Sequence, residues 1–182
     1  NPFNRREILQ FATDIEGHPD NVAPAIFGGF TVNAVTNGRV DCFSFLPRFR
    51  MKFVVAVPNF PLSTRMARKV LPTEVPMKDA IFKSAGLDAR GNERYLRLGL
   101  DDALHQPYRA ELIPGMYDVF KAARRAGAAG ATLSGAGPCL IAYVLERRHA
   151  EEAVGKAMLE AFRKHDVDAR ILTLDLDTHG AQ

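Results

Sequence analysis

A chain of 182 residues can hold one sizeable domain, or one domain and part of another. Its 47% hydrophobic and 25% charged residues are ordinary for a soluble protein, and two cysteines far apart (Cys42 and Cys139) exclude a disulfide framework or a zinc pattern and fit a reducing cytosol. The net charge of +3 is carried by small basic groups with acids between them (Arg48, Arg50 and Lys52; Arg65, Arg68 and Lys69; Arg124 and Arg125; Arg147 and Arg148), which suits solvated faces or an anionic small molecule more than nucleic acid.

In chain order, residues 5 to 16 read as the end of a helix, with Ile8, Phe11, Ala12 and Ile15 at helical spacing. A turn and a short helix follow. Two strands are predicted over 29–34 and 40–45, with Asn37-Gly38 as a hairpin signal. Residues 51 to 57 form a β-rich run ending at Pro58; such apolar runs are too short to cross a membrane. Helices are expected over 63–70, 78–85, 92–104 and 111–126. The last of these has Met116, Val119, Phe120 and Ala123 on one face and Gly127 as its stop. A strand over 131–133, a loop over 134–138 and an antiparallel strand over 139–145 come next. A helix over 150–164 and a final strand, where Leu172, Leu174 and Leu176 alternate with Thr173, Asp175 and Asp177, complete the chain.

From residue 51 onward this order is β-α-β-β-α-β with extra helices, an α+β, ferredoxin-like sandwich. Residues 1–47 do not make a complete domain, because a helix and a hairpin without further strands leave an apolar face uncovered. They are expected to be the closing part of a larger N-terminal domain, with a second domain over 48–182.

The densest chemistry lies in Glu16-Gly17-His18-Pro19-Asp20-Asn21-Val22-Ala23-Pro24-Ala25. A histidine, a carboxylate and a carboxamide stand within four residues at a helix start. Local physics leaves two readings open. Asp20 or Asn21 can simply cap the short helix that ends at Gly28-Gly29, or the three polar side chains can serve recognition and transfer chemistry.

Four stretches, in order, carry a resemblance. They are the turn just quoted with Gly28-Gly29-Phe30; Ser63-Thr64-Arg65-Met66-Ala67-Arg68-Lys69-Val70-Leu71-Pro72; Asp101-Asp102 with His105-Gln106-Pro107-Tyr108-Arg109 and Leu112-Ile113-Pro114-Gly115; and Leu133-Ser134-Gly135-Ala136-Gly137-Pro138. Together they resemble the homoserine kinase branch of the GHMP small-molecule kinases. The last stretch marks only the superfamily; the first and third point to the branch. The family's phosphate loop, a Pro-x-x-x-Gly-Leu-Gly-Ser-Ser-Ala run, has no match here, and the resemblance implies that it is to be expected in a segment before this sequence.

The resemblance implies transfer of the γ-phosphoryl group of ATP to the side-chain hydroxyl of L-homoserine, with Mg²⁺. Asp20 and Asn21 match the paired residues beside the accepting hydroxyl. His18 stands next to them as a binding residue or a structural histidine. Arg68 and Arg109 match the two arginines expected to hold the amino-acid carboxylate, and Thr64, one helical turn before Arg68, is placed toward the phosphates. Gly135 and Gly137 are read as loop support near the active site. The usual magnesium-binding glutamate is replaced by Gln10, a neutral and much poorer ligand for a hard cation, and residues 83–94 are shorter and more polar than the family's usual helix. A cytoplasmic homodimer that uses neither membrane nor nucleic acid is expected, and the 182 residues alone are expected to be inactive. The competing readings are another GHMP small-molecule kinase and a non-catalytic amino-acid-binding relative.

Overall fold

The computed structural model describes residues 2–83 and 93–182. It divides into two compact units, Asn1–Arg48 with Leu176–Gln182, and Phe49–Asp175.

The first unit opens with helix α1 (Arg5–Glu16). This is not the tail of a longer helix, as expected, but a helix with its own start. The Asn4 side chain accepts from the backbone N–H groups of Arg6 and Glu7 at 2.9 and 3.0 Å. Glu7 in turn accepts from the Asn4 N–H at 2.8 Å, completing a capping box. The apolar stripe also differs from the expected one. Leu9 and Thr13 are buried, whereas Phe11 and Ile15 are exposed. Helix α2 (Val22–Phe27) follows, then strands β1 (Phe30–Thr36) and β2 (Arg39–Phe45). The strands pair antiparallel from Phe30↔Phe45 to Thr36↔Arg39, around Asn37 and Gly38. Both turn residues have positive φ, 51° and 77°, as a two-residue hairpin turn of this type needs. Val32, Val35 and Phe43 remain exposed on this two-stranded sheet.

The end of the chain, expected in the second domain, groups with this first unit instead. The reason is backbone pairing. The Gly29 N–H donates to the Asp177 carbonyl at 2.7 Å, and the Ala181 N–H donates to the Ala25 carbonyl at 2.8 Å. The Arg5 guanidinium adds bonds to the carbonyls of His179 and Ala181.

The second unit is built on a four-stranded sheet of β3 (Met51–Pro58), β4 (Gly130–Leu133), β5 (Leu140–Leu145) and β6 (Ala169–Leu174), in the order β4-β5-β3-β6. Every neighbouring pair is antiparallel. This is the expected β-α-β-β-α-β sandwich. Helices α7 (Met116–Arg125) and α8 (Glu151–Arg163) cover one face. Val54, Ala56, Leu140, Ala142 and Val144 from the sheet meet Met116, Val119, Phe120, Val154, Met158 and Phe162 from the helices in one core. Helix α8 approaches the sheet closely at Gly155, where a Cβ would stand 3.0 Å from Ile171 Cγ2. It is therefore Ile171 of β6 that packs on the core, while Leu172 and Leu174 are exposed. The leucine alternation suggested a different buried face.

Between β3 and β4 lie α3 (Thr64–Lys69), α4 (Met77–Lys83), α5 (Glu93–Leu100), α6 (Gln106–Arg109) and a 3-10 turn at Ala110–Leu112. Two expected helices are shorter than the periodicity suggested. The helix predicted over 111–126 begins at Met116, because Pro114 is followed by Gly115 at φ 76°. The one predicted over 92–104 ends at Leu100, because Asp102 turns the chain to start α6. Most of the stretch 83–94, expected to be shorter and more polar than the family's usual helix, lies outside the described residues.

Phe162 is fully buried in the core beneath the sheet. Phe162→Ala is expected to lower stability by about 3–5 kcal/mol through lost burial and the cavity left behind, read from the urea midpoint of unfolding.

Candidate functional site

In the first unit, the turn between α1 and α2 is set by Gly17, whose left-handed conformation (φ 88°) lets its N–H close the helix on the Thr13 carbonyl at 2.7 Å. His18 then folds over the turn, with Nδ1 2.8 Å from Asp20 Oδ1 and Nε2 3.8 Å from Glu16 Oε1. The capping reading of Asp20 and Asn21 does not describe this turn. The Asn21 side chain makes no cap hydrogen bond, and the Pro19 carbonyl accepts from the Ala23 N–H at 2.9 Å. Asp20 is directed to His18 instead, and both Asp20 and Asn21 are exposed. Two polar side chains at a helix start are thus left for something other than the helix.

Gln10 is not joined to that turn. Its amide nitrogen donates to Asp14 Oδ1 at 2.9 Å and to the Gly38 carbonyl at 3.0 Å, and its oxygen accepts from the Val40 N–H at 3.1 Å. The carboxamide needs both its donor and its acceptor ends to tie α1 to the β1–β2 turn. Among the described residues, no group of three or more His, Cys, Asp or Glu side chains could hold a metal ion. With Gln10 neutral and engaged, these residues do not fit a magnesium ion.

In the second unit, α3 is capped by Ser63, whose hydroxyl accepts from the Met66 N–H at 3.1 Å. Ala67 is fully buried and roots the helix, leaving Thr64 and Arg68 exposed one turn apart. Arg109, at the end of α6, reaches two other segments. Its Nε donates to the Ala67 carbonyl at 3.1 Å, and one terminal nitrogen donates to the Gly135 carbonyl at 3.0 Å. Helix α3, helix α6 and the loop after β4 therefore meet at one guanidinium. Burial pulls the Arg109 guanidinium below its ordinary value; Asp102 opposes that and Arg68 reinforces it. Thr64, Arg68, Arg109 and Gly135 thus belong to one neighbourhood, in which two cations sit close enough to feel each other.

The loop carrying Gly135 has left-handed backbone at Gly135 (φ 58°) and Gly137 (φ 92°). The two glycines have different surroundings. A Cβ on Gly135 would meet open space, whereas one on Gly137 would stand 2.9 Å from Ile113 Cδ1 and 3.1 Å from Leu133 Cδ1. Gly137 packs on the core side, and Gly135 presents its carbonyl to Arg109.

Two residues in this neighbourhood have roles that the sequence reading did not assign. The Asp102 side chain, only 1% exposed, accepts from the N–H groups of His105 at 2.8 Å and Gln106 at 2.7 Å. It starts α6 as a carboxylate cap. Gln106, also buried, accepts the Leu133 N–H at 2.9 Å on its side-chain oxygen and fixes α6 to the end of β4. The signal for the first was present, since an aspartate shortly before a short helix is a start mark.

Burial by itself raises the Asp102 carboxyl, but the N–H groups of Gln106, His105 and Leu104 and the nearby His105 ring more than offset it, holding it below the usual carboxylate range. A lowered folded value favours folding above the ordinary carboxylate range, and that contribution is lost as pH falls through the folded value. Asp102→Asn is expected to flatten the acid limb below about pH 4 in urea midpoints measured against pH. Gln10→Glu, which loses both donors and sets a carboxylate against Asp14, is expected to cost about 1–3 kcal/mol in the same assay at pH 7.

Residues 77–168 match the family model described as GHMP kinases C terminal, which accounts for half of the chain. A homoserine kinase of Carboxydothermus hydrogenoformans is 42% identical over 188 aligned positions, covering 100% of this chain and 60% of that protein. One from Nostoc punctiforme is 45% identical, covering 99% and 60%. The crystal structure of homoserine kinase from Cytophaga hutchinsonii is similar at a TM-score of 0.86 and 28% identity, over 99% of this chain and 60% of that one. The chain thus spans about three fifths of the length of the curated relatives it matches. On the match over residues 77–168, the chain belongs to the GHMP kinase family and carries that family's C-terminal domain.

Proposed function

We propose that the whole protein transfers the γ-phosphoryl group of ATP to the side-chain hydroxyl of L-homoserine. The observation that carries the reading is the pair Arg68 and Arg109, with Arg109 anchored to the carbonyls of Ala67 and Gly135. The names of the relatives and the 28%-identical homoserine kinase structure support it.

Homoserine offers a carboxylate, an ammonium and a hydroxyl. An anchored guanidinium suits the first. Arg109 uses two of its five N–H groups on backbone carbonyls, which leaves three for a ligand in a planar fork. Arg68 adds a second charge from an exposed helical position. Asp20 and Asn21 are proposed as the residues that orient the accepting hydroxyl and the ammonium, with His18 holding Asp20 in place. In phosphoryl transfer the hydroxyl oxygen bonds to the γ-phosphorus, the bond to ADP breaks and the hydroxyl proton departs. Positioning and charge neutralisation supply most of the catalysis, so Asp20 needs to be no more than an orienting residue. Thr64, on the same helix as Arg68, is proposed to face the phosphates, and the Gly135–Gly137 loop supports the site.

Magnesium, when bound, would neutralise the phosphates. Its ligands and the phosphate loop are proposed to come from the part of the relatives' length that this chain does not span. Residues 1–47 are proposed to complete an N-terminal domain there, and a cytoplasmic homodimer remains part of the same reading.

The test is steady-state kinetics on the full-length enzyme with ATP, magnesium and homoserine. Arg109→Lys and Arg109→Ala are expected to raise the KM for homoserine by about 10- to 100-fold, the loss of a charge-assisted bidentate contact, with a smaller change in kcat. Asn21→Ala is expected to lower kcat more than it raises KM. No homoserine turnover by the unmodified enzyme, or an unchanged KM in Arg109→Ala, overturns the reading.

A further inference from the structure

A second cationic cluster shares no residue with Thr64, Arg68, Arg109 and Gly135. A cleft of about 350 Å³ is lined by Arg97, Asp101, Lys121, Arg124 and Arg125. We propose that it binds a small phosphorylated anion.

Lys121, Arg124 and Arg125 occupy positions i, i+3 and i+4 on α7, one face of the helix. That face is turned away from the core, which takes Val119, Phe120 and Ala123. Like charges at this spacing repel, so the arrangement carries an electrostatic cost. Arg97 reaches the same cleft from α5, so the cluster is assembled by the fold rather than by one helix.

Neutralisation is poor. Among the described residues, Asp101 is the one carboxylate lining the cleft, and its Oδ1 stands 3.9 Å from an Arg124 terminal nitrogen, the outer limit of an ion pair. Glu93, the acid in the first turn of α5, is occupied by Arg147 and Arg148. Among the described residues, no carboxylate lies within ion-pair distance of Arg97, Lys121 or Arg125. Among the described lining residues, four cations face one carboxylate.

A cation near a helix C-terminus complements the helix dipole. That accounts for single residues in the last turns of α5 and α7. It does not account for four cations from two helices converging on one concave surface. The ligand chemistry follows from charge and size. A monocarboxylate is satisfied by one guanidinium, whereas a phosphoryl group carries more charge and accepts several forked contacts. The volume is at the small end of ligand pockets, which favours a small molecule over a polymer.

The experiment is calorimetric titration of the 182-residue chain with pyrophosphate at low ionic strength. Saturable binding is expected, weakening as salt is added. The double variant Lys121→Gln/Arg125→Gln is expected to weaken it at least about tenfold, and so is Arg97→Gln on the other helix; three partners sharing a multivalent anion make this order of loss. Circular dichroism checks that each variant is folded, and either one alone suffices for the test. Arg68→Ala, outside the cleft, is expected to leave this binding unchanged. The proposal is overturned if pyrophosphate does not bind at millimolar concentration, or if binding survives the cleft variants. Loss in Arg68→Ala alone places the anion at the Arg68–Arg109 pair and overturns it too, as does a short oligonucleotide of equal charge displacing pyrophosphate at lower concentration.

Discussion

Helix α6 is four residues long, too short to hold itself in place, yet it carries Arg109. Its position is imposed at its start by two buried side chains. The buried carboxylate of Asp102 collects the N–H groups at its start, and the buried carboxamide of Gln106 takes the Leu133 N–H at the end of β4. Only then does Arg109 reach the Ala67 carbonyl on one side and the Gly135 carbonyl on the other. Each bond satisfies a backbone group that would otherwise be costly to leave unpaired. The consequence is functional: a guanidinium with two N–H groups committed is a rigid platform for its remaining three.

The same economy holds in the first unit. Gln10 stands where the resemblance expects a metal-binding carboxylate, but here the residue ties a helix to a hairpin turn through both ends of its amide. A carboxylate has no donor for the Gly38 carbonyl, so the structural task and the metal task ask for different side chains. Asp20 and Asn21 show the opposite case. The backbone of Pro19 starts α2 without them, and a side chain released from capping is available for a ligand.

Cationic residues appear in two arrangements with different physical character. Arg109 sits near a buried carboxylate and holds two backbone carbonyls, with the exposed Arg68 close by, and its partial burial sharpens the response to an anion. Arg97, Lys121, Arg124 and Arg125 line an open cleft, where solvent and salt screen them. The first suits one precisely oriented carboxylate. The second suits a ligand with charge to spare.

The sequence by itself determined the architecture of residues 49–175 and the sites of its turns. Periodicity, β-branched runs and glycine stops are local properties, and they placed the four strands, α8 and the end of α7 within a few residues, though not the start of α7. Asn37-Gly38 specified its hairpin because few other residues tolerate positive φ at both positions. Arg68 and Arg109 were singled out by the resemblance of their stretches, and Asp20 and Asn21 by the density of polar groups in their turn as well. What tertiary structure decided was which groups satisfy one another across the chain. That Gly155 brings Ile171 rather than Leu172 onto the core depends on α8 meeting β6. That Leu176–Gln182 return to α2 depends on backbone bonds spanning about the whole chain. Asp102 and Gln106 became visible as supports only once α6 was seen against β4. Hydrogen-bond partners distant in sequence leave no local pattern, so a residue's type can be read early, but its task is set by what the fold places within about 3 Å of it.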